Sequence, residues 1–115
     1  MTSGERDLMT GRLSAAQLPI PETMICAEDV AVGKPSPEGY LLAAAVLGLD
    51  AKHCVVVEDA PAGIAAGVAA GARVVAVTTT HTADQVAGAD VIVADLSCLR
   101  VELTDDGVVL NRLEL

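Results

Sequence analysis

Aromatic residues are almost absent from this chain of 115 residues, which has no Trp, no Phe and one tyrosine, Tyr40. Hydrophobic residues nevertheless make up 52% of it, so any core must be built from Ala, Val, Leu and Ile. Such small aliphatic side chains suit closely packed layers of helices and strands. The length corresponds to about one small domain.

Basic residues are also scarce. Lys and Arg together number 7 against 16 Asp and Glu, which gives a formal net charge of -9. The field of such a protein repels polyanions, which argues against nucleic acid and anionic membrane surfaces as partners. An anionic ligand would therefore have to be held by local groups.

Long apolar runs and an even set of cysteines are missing as well. No apolar run reaches the roughly 18 residues that a membrane span needs. The first residues, MTSGERD, lack the basic and then apolar plan of a signal peptide. Cys26, Cys54 and Cys98 are odd in number and widely spaced, which favours reduced thiols over disulfides. We therefore expect a cytoplasmic protein.

Strands and helices alternate along the chain. CVVVE, residues 54–58, has three consecutive valines without polar alternation, which predicts a strand buried on both faces of a parallel sheet. The segments around it predict a βαβαβ arrangement. The tail VELTDDGVVL carries a turn signal, Asp106-Gly107, and predicts a hairpin. Further strands are expected at residues 24–27, 72–77 and 90–96.

Helices are predicted between these strands. Gly63, Gly67 and Gly71 recur every fourth residue, which indicates close packing of one helix against the sheet. The four predicted helices are one from Ser3 with an apolar face of Leu8, Met9, Leu13 and Ala16, one opened by Ser36 and Pro37 and ending near Gly48, one over residues 61–70, and a short one around residues 82–87.

Two adjacent acids, Glu58 and Asp59, end the valine strand. Ligands of open parallel sheets lie beyond the carboxyl ends of the strands. Two carboxylates in a partly dry crevice repel each other, and a hard divalent cation such as Mg²⁺ relieves that repulsion. The alternative is structural: Glu58 faces solvent, and Asp59 helps to cap the helix that begins at Pro61. Residue type alone leaves both interpretations open.

Two further places could bind an anion. Lys34 lies in VGKPSP, just before a helix N-terminus, where a held lysine could meet a phosphate; the alternative is a solvated surface lysine. Thr2, Ser3 and Gly4 bring two hydroxyls and a glycine to the start of a helix, which is also an ordinary N-cap. His53 and His81 have no partners at metal-ligand spacing and receive no role.

Three motifs occur in a fixed order: T-S-G, then G-K-P-x-P-E-x-Y, then V-V-E-D-A-x-A-G-I-x-A-G. Together, over residues 2–99, they resemble the haloacid dehalogenase superfamily, and more narrowly its β-phosphoglucomutase-like sugar-phosphate phosphatases. The resemblance implies an α/β fold with a three-layer Rossmann-like parallel sheet and a small phosphorylated metabolite as substrate. The implied roles are phosphate binding by Thr2, Ser3, Gly4 and Lys34, catalysis by Lys34 and Asp59, and Mg²⁺ binding by Asp59 and Glu58.

The chain departs from that family in what it lacks. Members attack phosphate with the first Asp of a D-x-D-G-T/V motif, and no such motif occurs in these 115 residues. The helical cap that selects the substrate is missing too. The resemblance therefore implies a partial core over residues 1–99, a tail over residues 100–115, an incomplete sheet without the nucleophile strand, and a chain that is inactive alone.

The missing strand has a structural consequence. The family sheet has the order 3-2-1-4-5, so without strand 1 the strands at 24–27 and 54–58 would lie roughly 14 Å apart. Unpaired buried strand edges are costly, so we expect the chain to close up, to self-associate or to complement an N-terminal fragment. Two functions remain: part of a Mg²⁺-dependent phosphatase, or a non-catalytic remnant or binding module that associates through its strand edges.

Overall fold

Three parallel strands form the centre of the molecule, which a computed structural model describes over residues 1–113. Their order across the sheet follows the chain, and the register places Val56 opposite Val74 and Ala76 opposite Ile92. This confirms the predicted α/β class with a parallel sheet. The strands are β1 (Val55–Glu58), β2 (Arg73–Val77) and β3 (Val91–Val93).

The helices are α1 (Arg6–Ala15), α2 (Glu38–Val46) and α3 (Pro61–Ala69). Helix α3 covers one face of this sheet, with α2 beside it. Helix α3 packs against β1 and β2, and α2 packs against α3. No helix within residues 1–113 has the length and hydropathy to cross a membrane. The main core lies between this layer and the sheet and consists of Val56, Ile64, Val74, Ala76 and Val86.

A hairpin packs on the opposite face. Strands β4 (Leu99–Thr104) and β5 (Gly107–Arg112) pair antiparallel around a two-residue loop, Asp105 and Asp106. Their side chains Leu99 and Leu110 pack against a second cluster formed by Val75, Val77 and Val93 of β2 and β3. The described chain therefore has three layers: helices, sheet and hairpin. The division into a core at residues 1–99 and a tail stays a prediction, since β4 already begins at Leu99.

The predicted strand at residues 24–27 is not formed. Its backbone makes two hydrogen bonds to the chain start: Thr2 N–H donates to Ile25 O, and Ala27 N–H donates to Gly4 O, each over 2.9 Å. Two such bonds do not make a ladder, although Ile25 and Cys26 are buried. The same bonds hold residues 2–4 in a bend outside any helix, so the helix predicted from Ser3 begins only at Arg6.

The apolar face predicted for that first helix is not buried either. No residue of α1 is fully buried, and Leu8 is about half exposed. Met9 and Leu13 instead line an open cavity of about 400 Å³, together with Leu18 and Met24. Helix α1 therefore lies at the edge of the molecule without a packed partner among residues 1–113.

Burial of the valine strand alternates, so the prediction that both its faces are buried was wrong. Val56 and Glu58 are buried beneath α3, whereas Val55 is 45% and Val57 is 41% exposed. The hairpin packs on β2 and β3 and does not cover β1. The helix predicted around residues 82–87 is also absent: residues 83–88 form hydrogen-bonded turns that do not continue into a helix.

The glycine spacing in α3 is explained by its contact with the sheet. A Cβ at Gly67 would lie 2.8 Å from Val74 Cγ2 and 3.2 Å from Val56 Cγ1. Both valines belong to the core, so neither can move away without disturbing it. The backbone of α3 can approach the sheet this closely only because Gly67 has no side chain.

We expect Gly67→Ala to lower the free energy of unfolding by about 1–3 kcal/mol, because the added methyl overpacks the core. Urea unfolding followed by circular dichroism measures the change. Gly11→Ala is the matched control, since nothing lies within 4 Å of a Cβ there; it should leave stability unchanged or raise it by up to about 1 kcal/mol. Equal stability of both variants would contradict close packing at Gly67.

Candidate active site

A buried ion pair lies at the carboxyl end of β1. Glu58 is the last residue of this strand, and its Oε1 lies 2.5 Å from Nζ of Lys34, in the loop before α2. The hydroxyl of Tyr40, from the start of α2, donates to the same carboxylate oxygen. The Glu58 side chain is 6% exposed and that of Lys34 is 15% exposed. We call these three side chains the Lys34–Glu58–Tyr40 cluster.

The carboxylate of Glu58 has no room to move towards α3. A Cβ at Gly63, in the first turns of that helix, would lie 2.0 Å from Glu58 Cδ. The second carboxylate oxygen, Oε2, accepts the backbone N–H of Asp59 over 3.3 Å. A buried charge is tolerated when it is paired and hydrogen-bonded, and both conditions hold here. Gly63 therefore leaves room for the Glu58 carboxylate, whereas Gly67 leaves room for the core valines.

Tyr40 completes the cluster. Burial raises the pKa of its phenol well above the ordinary value, and the hydrogen bond to Glu58 raises it further. Nζ of Lys34 lies 5.4 Å from the centre of the Tyr40 ring, within range of a cation–π interaction. The single aromatic residue of the chain thus contacts both charges of the pair.

The loop that carries Lys34 is held by Glu38. The two carboxylate oxygens of Glu38 accept the backbone N–H groups of Ala31 and Val32 over 2.8 and 2.9 Å. These bonds lower the pKa of the Glu38 carboxyl. No role was predicted for Glu38 or Tyr40, although both belong to the G-K-P-x-P-E-x-Y motif. The motif itself was the signal that could have identified them.

Asp59 faces a different set of partners from Glu58. Its carboxylate oxygen Oδ2 accepts the hydroxyl of Thr80 over 2.7 Å, and its backbone carbonyl lies 3.0 Å from Nδ1 of His81. Both partners come from the loop after β2, the strand beside β1. No role was predicted for either residue, because their proximity to Asp59 depends on strand order.

The two acids can supply some, but not all, of the ligands of a Mg²⁺ site. Mg²⁺ is usually held by one or two carboxylates, with waters and substrate phosphates as the other ligands. Asp59 Oδ1 accepts no hydrogen bond from the described residues, whereas Glu58 is already paired with Lys34. Within residues 1–113 no group of three or more His, Cys, Asp or Glu could hold a metal ion. Further ligands would have to come from outside this set.

The predicted anion corner at Thr2, Ser3 and Gly4 differs from expectation. It does not form the N-terminus of α1, where Glu28 already accepts the N–H of Arg6 over 3.0 Å. The Thr2 hydroxyl accepts the N–H of Gly4 over 3.1 Å. No hydrogen bond among the described residues links this corner to Lys34 or Asp59. Met1 does pack against Gly39 of α2, beside Tyr40, so the corner lies next to the cluster.

Comparison with known families decides the relationship. A sequence model of the haloacid dehalogenase-like hydrolases matches residues 1–71, more than half of the chain. The chain belongs to this family. The expected resemblance is thereby confirmed, and the matched region contains Lys34, the two acids and the whole of α3.

Curated relatives of this haloacid dehalogenase-like chain are phosphatases. It is 41% identical over 110 residues to hexitol phosphatase A of Escherichia coli K12. This alignment covers 96% of this chain and 51% of the relative. It is 44% identical over 101 residues to validoxylamine A 7'-phosphate phosphatase of Streptomyces hygroscopicus subsp. limoneus, with coverage of 87% and 47%. The chain therefore spans about half the length of the curated relatives it matches.

Solved structures of the family share the fold. A hydrolase from Pseudomonas syringae superposes with a TM-score of 0.75 at 31% identity, over 82% of this chain and 45% of that one. A family hydrolase from Deinococcus radiodurans, with bound phosphate and sodium, gives a TM-score of 0.75 at 32% identity, over 81% and 45%. These matches confirm the α/β fold.

Ionisation of Tyr40 should make stability depend on pH in the alkaline range. The unfolded chain loses the phenolic proton near pH 10.0, whereas the folded chain keeps it to higher pH. The stabilising contribution is thus present below pH 10 and is lost above it, by at most about 1.4 kcal/mol per pH unit. Urea unfolding of the wild type and Tyr40→Phe between neutral pH and pH 11 measures this difference.

Tyr40→Phe is the matched control, because it keeps the ring and lacks the phenolic proton. Tyr40→Phe should also cost about 1–3 kcal/mol at neutral pH, because buried Glu58 loses a donor. Since Tyr40 is the only tyrosine and the chain has no Trp, tyrosinate absorbance follows its ionisation directly. An ordinary tyrosine titration in the folded wild type would contradict the buried cluster.

Proposed function

We propose that this chain supplies the phosphate-facing and metal-facing part of a Mg²⁺-dependent phosphatase that acts on small phosphorylated metabolites such as sugar phosphates. The observation that carries the proposal is the ammonium of Lys34 held 2.5 Å from Glu58, one residue before Asp59, at the carboxyl end of a parallel strand. The phosphatase names of the curated relatives support it.

Charge explains why these residues suit the reaction. Phosphoryl transfer places negative charge on the equatorial oxygens, and catalysis is mostly neutralisation and positioning. Lys34 and the two acids together carry one net negative charge, which disfavours an anion. Mg²⁺, when bound, would neutralise phosphate oxygens and orient the attacking group. Asp59 would be a ligand of this ion, and Glu58 would be a second ligand if Lys34 turned to the phosphate. Thr2, Ser3 and Gly4 would donate further hydrogen bonds to the phosphate.

The attacking group is not among these 115 residues, because no D-x-D-G-T/V motif occurs in them. We propose that these 115 residues do not turn over phosphate esters by themselves and that a nucleophile strand must be added beside β1. Three free cysteines support a reducing compartment such as the cytoplasm.

A chimera tests the phosphatase assignment. The half of hexitol phosphatase A that this chain does not match is joined to the chain, and release of phosphate from p-nitrophenyl phosphate and sugar phosphates is measured. We expect Mg²⁺-dependent hydrolysis by the chimera and background rates for the chain alone. Asp59→Asn and Lys34→Met in the chimera should each lower kcat/KM by at least about a hundredfold, since each removes charge stabilisation from the reacting phosphate.

Asp50→Asn is the matched control, because Asp50 caps the short turn at residues 51–53, before β1, and does not contact the cluster. An inactive but folded chimera would contradict the assignment. Mg²⁺-dependent turnover by the chain alone, abolished by Asp59→Asn, would show that a nucleophile lies within these residues.

The exposed side of β1 favours a second candidate, a module that associates through its strand edge. Among the described residues β1 pairs only with β2, so its other edge has no partner. Val55 and Val57 are 45% and 41% exposed on the uncovered face of the same strand. Unpaired edges beside apolar surface promote pairing with another chain. The occupant would be a second copy or the complementing N-terminal fragment.

We expect the chain alone to form dimers or larger species at micromolar concentration, measured by size-exclusion chromatography with light scattering. Val57→Lys should shift it towards monomer, because a charge on an edge strand opposes pairing. Val68→Lys is the matched control, since Val68 is 52% exposed but lies on α3. A compact wild-type monomer with a folded sheet would contradict this candidate.

A further inference from the structure

The loop after β2 surrounds Asp59 with polar contacts that the proposed chemistry does not use. The Thr80 hydroxyl lies 2.7 Å from Asp59 Oδ2, 3.3 Å from the Asp59 carbonyl oxygen and 2.9 Å from His81 Nδ1. His81 Nδ1 lies 3.0 Å from the same carbonyl oxygen. Register explains the meeting: Glu58 is opposite Ala76, so the chain beyond each strand end shares one edge of the sheet.

One arrangement of protons satisfies the three shorter of these contacts. A carbonyl oxygen can only accept, so His81 Nδ1 must carry the proton that it donates to Asp59 O. That nitrogen then cannot accept from Thr80, and the single hydroxyl proton of Thr80 is free for Asp59 Oδ2, its shortest contact. The Thr80 oxygen can in turn share the His81 proton. The neutral imidazole is therefore the Nδ1–H tautomer.

We propose that Thr80 and His81 are positioning residues that hold Asp59 for ion binding. His81 holds the backbone carbonyl of Asp59, and Thr80 holds one carboxylate oxygen. Oδ1 accepts no hydrogen bond from residues 1–113 and is the oxygen presented to a cation. Hydrogen-bonding partners of a metal-binding carboxylate fix its orientation and affect affinity. This inference rests on the proposed function for the identity of the ligand, Mg²⁺, but the orientation of Asp59 can be measured without it.

A structural role alone is the competing interpretation, because Thr80 could merely join two loops. Such a role would affect stability, whereas a positioning role affects the Asp59 rotamer and ion affinity at constant stability. Thr80→Val removes the hydroxyl and keeps the shape, and Thr80→Ser keeps the hydroxyl. Thr79→Val is the matched control, since Thr79 is exposed and its hydroxyl makes no hydrogen bond within the described chain.

Nuclear magnetic resonance on the isotopically labelled 115-residue chain gives three readouts. Hα–Hβ couplings report the χ1 rotamer of Asp59, imidazole ¹⁵N shifts report the His81 tautomer, and the amides of Asp59 and Ala60 report titration with Mg²⁺ alone. We expect a single Asp59 rotamer and the Nδ1–H tautomer in the wild type. In Thr80→Val we expect rotamer averaging and about tenfold weaker Mg²⁺ binding, with Thr80→Ser and Thr79→Val within twofold of the wild type.

Each result supports or overturns the proposal. An unchanged Asp59 rotamer in Thr80→Val, or an Nε2–H tautomer of His81, overturns it even if Mg²⁺ binds. A rotamer that depends on Thr80, with no response of the amides to Mg²⁺ in either the chain or the chimera, supports the positioning role and contradicts the metal assignment of the proposed function. The two failures are therefore distinguishable. Thermal unfolding of each variant shows whether the fold is kept.

Discussion

The carboxylate of Glu58 is buried and is stabilised by a paired cation, and this ion pair fixes the arrangement of residues at the carboxyl end of β1. Removing one partner of a buried ion pair typically costs about 3–5 kcal/mol, because the other charge stays behind unpaired. The loop with Lys34, the first turn of α2 with Tyr40 and the glycine at position 63 all meet at this carboxylate. The pair therefore joins two segments of the chain, residues 34–40 and residues 58–63.

The same pair determines what the site can bind. With Lys34 engaged by Glu58, the cluster offers an anion no free positive charge, while Asp59 still presents a carboxylate oxygen. A divalent cation would reverse the local sign and let the ammonium turn towards a phosphate. Under the proposed function, this charge balance favours binding of the cation before the phosphate, which agrees with a chain of net charge -9.

Incomplete coverage of the sheet explains where pattern reasoning failed. Three valines in a row do indicate a strand of a parallel sheet, but Val55 and Val57 stay exposed because no described element packs on that side of β1. Residues 24–26 are apolar, yet they lack a neighbouring strand and form no ladder, and Ala27 already begins a short turn. Both predictions failed because they assumed a packing or pairing partner that is not among residues 1–113.

Local pattern determined the α/β class, the parallel sheet and the hairpin turn, because periodicity, glycine spacing and strand ends are encoded within a few residues. The roles of Lys34, Glu58 and Asp59 came from the family resemblance and stay predictions. Tertiary structure alone decided that Lys34 pairs with Glu58 across 24 positions and that Thr80 and His81 hold Asp59 across 21 and 22. The reason is physical: the partner of a buried or oriented charge depends on which strand ends share an edge, and strand order is not a local property of the chain.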